Sequence, residues 1–255
     1  MLPNASSWSG VVLLSLTAVA PVWGDPWERA PGDNGPTTLT ELAHGSEEIH
    51  DLKGKKGADE DWWRISQKGH SSYEVVVDAT TSSAVPVALD RMAADGTTVL
   101  QSAVAVGAGA VRSLRWENTV ATTVDGQFVR VKGACTKCAR DDGYRIRFYE
   151  TTYAVSRFNN SGTQVTVLVV QNPTDYPVTG NARFWDATGD LVGSSGFALA
   201  PKATAVVNTS PIAPDVSGSV TVASDARYGD LAGKTVALEP ATGFSFDTEM
   251  KARPR

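Results

Sequence analysis

Cys135 and Cys138 form a Cys-x-x-Cys pair, and the 255-residue chain has no other cysteine. Three chemistries are open to such a pair: a disulfide, half of a metal site, or a redox couple. A redox pair sits at a helix N-terminus, which lowers the pKa of its first thiol. Here residues 128–132 and 144–148 alternate like strands on either side, so the pair belongs in a hairpin loop. Zinc takes four ligands in its structural sites. His44, His50 and His70 carry no ligand spacing toward the two cysteines. In an exported chain neighbouring thiols oxidise, which favours a loop disulfide between Cys135 and Cys138. Its loop is very short, so the entropic gain is small.

Other chemistry-bearing residues are scattered. The seven tryptophans raise the question of a sugar-stacking platform. Adjacent Trp62 and Trp63 point to opposite faces if both lie on a strand, so one is core and the other partly exposed. Trp116 and Trp185 read as core. The sequence has no His-Glu-x-x-His helix motif, no Gly-x-Ser-x-Gly elbow and no phosphate loop. His50, at the start of a predicted strand, reads as a surface side chain. No constellation of nucleophile, base and oxyanion donor is visible, so the chain is expected not to be an enzyme.

The elements that must position these residues are strands. Hydrophobic content is 42% and net charge is −5, with no basic stripe for nucleic acid. Helix periodicity is scarce, and residues 37–48 offer the one short helical candidate. Residues 73–78, 85–89, 97–100, 128–132 and 144–148 alternate or are β-branched. Asp95-Gly96 is a strong hairpin turn signal. Tyr144, Ile146 and Phe148 share one face, against Arg145 and Arg147 on the other. A boundary falls near residues 151–158. Beyond it residues 164–172 read as a central strand covered on both sides. Residues 181–186, 204–208, 219–223, 233–239 and 244–247 complete a second set. The expectation is an all-β chain of two tandem β-sandwich domains, residues 25–152 and 153–255.

Residues 11–20 form a short apolar run that fits the core of a secretory signal, with cleavage after Val22-Trp23-Gly24. No Lys or Arg lies in the first 24 residues, so the terminal amine supplies the only positive charge there. Residues 1–24 are therefore expected to be a signal peptide and the protein to be secreted or periplasmic. No later apolar stretch is long enough for a membrane span.

Two resemblances follow from particular residues. Asp59-Glu60-Asp61-Trp62-Trp63-Arg64-Ile65 resembles the acidic-then-aromatic strand of the bacterial pre-peptidase C-terminal domain. Pro31-Gly32-Asp33-Asn34 resembles that family's lead-in segment. Leu89-Asp90-Arg91, Asp95-Gly96 and Tyr144-Arg145-Ile146 fit its later strands. The resemblance spans residues 27–152 and implies a jelly-roll β-sandwich of the kind appended to secreted bacterial enzymes. No protease domain accompanies it in this chain. Residues 157–244 resemble an uncharacterised module of secreted bacterial proteins, which implies an immunoglobulin-like sandwich and no chemistry.

The first resemblance also implies calcium. Asp33, Asn34, Asp59 and Asp61 fall on positions where members of that family bind Ca²⁺, and Glu28 is placed to join them. Calcium takes six to eight oxygen ligands, which clustered carboxylates supply. The same residues also read as a solvated acidic turn before a strand. The function expected from these readings is an exported, non-enzymatic binding, adhesion or accessory protein. Its partner would be an extracellular polymer or another exported protein. A calcium-binding module for carbohydrate or matrix protein stands second, and a secreted hydrolase with an unrecognised site third.

Overall fold

A computed structural model describes residues 32–52, 59–80, 88–103, 112–133 and 143–255. The described residues are all-β, in four sheets. Two are drawn from residues before Thr151. One orders β1 (Glu41–Leu42), β3 (Glu60–Gln67), β8 (Val124–Lys132), β5 (Ala88–Met92) and β6 (Val99–Ser102). Its mate orders β2 (Glu47–Asp51), β9 (Gly143–Glu150), β4 (Ser72–Ala79) and β7 (Arg112–Glu117). Trp63, Ile65, Val129 and Val131 from the first pack against Val75, Val77, Tyr144, Ile146 and Phe148 from the second. Strand alternation puts these residues on inward faces. Among the described strands only β1 pairs in parallel, with β3.

The remaining two sheets follow Thr152. One orders β13 (Leu191–Leu199), β12 (Val178–Asp186), β15 (Ser217–Ser224), β10 (Tyr153–Asn159) and β18 (Lys251–Ala252). The other orders β14 (Thr204–Asn208), β11 (Val165–Gln171), β16 (Ala232–Glu239) and β17 (Phe244–Glu249). Phe158, Leu168, Val170, Phe184, Val220 and Val222 fill the space between them.

The expected β-sandwich class is the observed one, with local corrections. Residues 37–48 hold no helix. Leu42 and His50 are buried by strand pairing, and that pairing overrides the weak helical period. The Asp95-Gly96 hairpin forms as expected. Gly96 takes a φ of 67°, and Asp95 Oδ1 accepts the N–H groups of Thr97 and Thr98 at 2.8 Å each. Residues 153–159, read as part of a boundary, are the strand β10 with Tyr153, Val155 and Phe158 buried. Strand β11 is central in its sheet but covered on one side only. Leu168 and Val170 are buried, whereas Val165, Val167 and Val169 are partly exposed.

The two sandwiches meet across a polar seam. Arg183 donates to Glu117 at 2.6 Å, and Asn181 donates to the other oxygen of that carboxylate at 3.0 Å. Arg115 donates to the Asp225 carbonyl at 2.6 Å, and the Tyr228 N–H to Glu74 at 2.9 Å. Tyr149 stacks on Tyr228 with ring centroids 4.8 Å apart. Two residues, Thr151 and Thr152, separate β9 from β10, so the junction is short as well as bonded.

Candidate metal centre

The buried polar cluster of the first sandwich begins with strand β3. Its alternation turns Asp61, Trp63 and Ile65 inward, while Trp62 faces the opposite side. Asp33 lies in the lead-in segment before β1. Its carbonyl accepts the Trp62 N–H at 2.7 Å, and the Thr40 carbonyl accepts the Arg64 N–H at 2.8 Å. Those two bonds lay the segment along β3 and bring the Asp33 carboxylate to Asp61. From the other sheet, β2 contributes His50, directly across from Tyr144 of β9.

Asp33, His50 and Asp61 are all buried, and each offers one ligand atom within 4.8 Å of the others. His50 Nδ1 lies 3.5 Å from Asp33 Oδ2. Its Nε2 donates to Glu48 Oε2 at 3.1 Å, and the Trp63 indole donates to the same oxygen at 3.0 Å. The ring packs edge-on against Trp63 and parallel to Tyr144. Neither oxygen of the Asp33 carboxylate has a hydrogen-bond partner, although the residue is 0% exposed. A buried charge left in that condition is costly.

Asp61 carries the electrostatic consequence. Burial pushes its carboxyl well above the usual carboxylate range, and the charges of Asp59 and Asp33 push it further. The Tyr144 hydroxyl, which donates to Asp61, and the nearby His50 pull it back. A proton or a cation among these groups relieves the same repulsion.

Of the residues anticipated as ligands, Asp33 and Asp61 are brought together. Asp59 is buried and close enough to act on Asp61 through its charge. Asn34, next to Asp33, is exposed, and Glu28 lies outside the described residues. Calcium would require an oxygen shell. The donors gathered among the described residues also include an imidazole, which the family resemblance does not imply. His50, expected on the surface, is a fully buried member of the site. The signal for it was the Glu48-x-His50 spacing, which puts both side chains on one face once residues 47–51 are read as a strand. Cys135 and Cys138 also lie outside the described residues.

The tryptophans do not form a platform at Trp62 and Trp63. Both are buried, Trp62 against Phe128 and Met92 with the Arg130 guanidinium 5.4 Å from its ring centre. Trp116 is core, and Trp185 is half-buried with its indole donating to Thr221 at 2.9 Å. Open grooves among the described residues lie elsewhere. One of about 510 Å³ runs past Arg157, Asp186 and Ser217. Another of about 350 Å³ lies at the seam, by Glu74, Tyr149 and Arg227. Glu74 is already engaged there by Ser113 and the Tyr228 N–H.

No family model and no curated protein matches the chain. Solved structures to which the chain is similar include two β-glucuronidases. One is a β-glucuronidase from glycoside hydrolase family 2, with 12% identity and a TM-score of 0.18 over 86% of this chain. The other is a Bacteroides uniformis β-glucuronidase, with 12% identity and a TM-score of 0.20 over 78% of this chain. This chain covers 26% of each of them. Likenesses this slight bear on neither fold nor activity. Among the described residues no helix is long and apolar enough to cross a membrane.

Proposed function

We propose that the chain is an exported, non-enzymatic binding or accessory protein whose first sandwich is closed around a divalent cation. The observation that carries this reading is the Asp33 carboxylate. It is fully buried, has no hydrogen bond to either oxygen, and faces His50 and Asp61. Structural metal sites are closed, whereas catalytic ones keep an open position for substrate or water. All three residues are buried, and the second oxygen of the Asp33 carboxylate offers a fourth donor atom, which together favour the first kind. An ion held there ties the lead-in segment, β2 and β3 together, and so fastens one sheet of the sandwich to the other.

The rest of the reading follows from the frame. Two sandwiches joined by a bonded seam form a rigid support for outward-facing strands and loops. An extracellular polymer or another exported protein is the partner such a support suits. The apolar run at residues 11–20 supports action outside the cytoplasm.

The test is thermal unfolding of the full chain as purified, after chelation, and after divalent cations are restored. A ligand that binds only the folded state raises the melting temperature. Chelation is expected to lower it and restoration to recover it, with Asp61→Asn insensitive to both. Melting that ignores chelation and restoration alike would remove the cation from the account. Retention of the intact chain on insoluble extracellular polysaccharide or matrix protein tests the binding role. Passage through every such matrix would count against it.

A further inference from the structure

We infer that the ion held by Asp33, His50 and Asp61 is a transition metal of the zinc class and not calcium. This inference rests on the reading of the cluster as a cation site, and it goes beyond it in naming the ion's chemistry.

The donor set is the first reason. Calcium and magnesium are hard ions that take oxygen throughout, while an imidazole beside carboxylates suits zinc and its neighbours. His50 is not incidental to the cluster. It is buried at its centre, with Nδ1 directed at Asp33.

The hold on the ring is the second reason. A metal-bound histidine characteristically gives its other N–H to a carboxylate or carbonyl, which fixes the tautomer and the ring plane. Glu48 serves that role here, accepting from Nε2 at 3.1 Å. Glu48 is in turn held by the Trp63 indole at 3.0 Å. Fixing the proton on Nε2 leaves the Nδ1 lone pair on the side of Asp33.

Spacing is the third reason. A tetrahedral site with bonds of about 2.0 Å has ligand atoms about 3.3 Å apart. The Nδ1 to Oδ2 distance is 3.5 Å, so the two donors already span one edge of such a tetrahedron. The Asp33 carboxylate, buried and without a hydrogen bond, has both oxygens available for it.

The experiment is a titration of the chelator-stripped full chain with Co²⁺, Zn²⁺ and Ca²⁺. Cobalt is expected to give the intense visible absorption of a four-coordinate site. One equivalent of zinc should bleach it, and a roughly hundredfold excess of calcium should leave it unchanged. Zinc should raise the melting temperature, and calcium should not. His50→Asp converts the donors to oxygen and is expected to abolish the cobalt bands. If that variant does not fold, the spectrum of the unaltered chain stands as the test. The double substitution His44→Gln with His70→Gln should retain the bands, and their loss there would overturn the assignment. Stabilisation by calcium but not by zinc or cobalt would overturn the zinc-class inference and leave the cation site standing. No response to any of the three ions would overturn both, and would leave a shared proton as the group that reconciles Asp33 with Asp61.

Discussion

The two sandwiches solve the burial of polar groups in opposite ways. In the second, the deepest polar side chains are neutral amides and hydroxyls with their bonds made. Asn160 donates to the Ala213 carbonyl at 2.9 Å and accepts from the Thr166 N–H and the Thr209 hydroxyl, each at 2.9 Å. Asn172 donates to the carbonyls of Tyr176 and Ala200 and accepts from Thr174. Around them the core is mostly aliphatic. The first sandwich instead buries carboxylates, at Asp33, Asp59 and Asp61, among aromatic rings. A satisfied amide needs nothing from outside the chain, whereas clustered acids call for positive charge. The second sandwich therefore needs no ion, whereas under the proposed reading the stability of the first depends on what occupies its cluster.

The largest effect should come from the self-sufficient half. Phe184 is fully buried and packs edge-on against Phe158. Phe184→Ala is expected to cost about 4 kcal/mol, with the same loss in chelator as in zinc, by denaturant unfolding. A loss that depended on the metal would break the contrast between the halves.

Asp33→Asn should cost less and behave differently. It removes one donor without changing volume. The loss should be about 3 kcal/mol at cation concentrations about a hundredfold above Kd, and in chelator it should vanish or turn into a gain, because the substitution removes an unpaired buried charge. Equal losses in both buffers would assign Asp33 a purely structural role.

A smaller effect is expected at the seam. The Arg183–Glu117 pair is largely shielded, at 7% and 14% side-chain exposure. Arg183→Ala should cost about 2 kcal/mol and leave Glu117 partly buried without its partner. Adding Glu117→Ala should recover part of that loss, and strict additivity of the two would show the pair to be uncoupled.

The smallest effect is at the β5–β6 turn. The Thr98 hydroxyl, with the N–H groups of Thr98 and Thr97, holds the Asp95 carboxyl down to about 2. A lowered folded-state value means that the stabilising bonds are complete above the usual carboxylate range. They are lost as pH falls through about 2. Titration of the Asp95 side-chain carbon by NMR checks this, and a midpoint at the ordinary carboxylate value would remove the turn interaction.

These contrasts were unevenly legible in the sequence. The all-β frame was readable because alternation at residues 144–148 and the Asp95-Gly96 turn are local signals. Asp33 and Asp61 were marked by resemblance to a family, yet their companion was hidden. Reading residues 37–48 as a helix separated Glu48 from His50, and only strand spacing places the two on one face. Strand β13 escaped notice because Gly193, Ser194, Ser195 and Gly196 leave no apolar alternation at its centre. One of Trp62 and Trp63 was expected to be partly exposed because neighbours on a strand point to opposite faces. Here Met92, Phe128 and Arg130 cover Trp62.

Hydrogen exchange with and without chelator tests most directly whether the first sandwich is closed by a cation. The account predicts that removing the ion exposes the backbone amides of His50, Asp61 and Tyr144 to faster exchange, while those of Leu168 and Val222 keep their protection. Unchanged protection at the cluster, or an equal loss in both sandwiches, would contradict it.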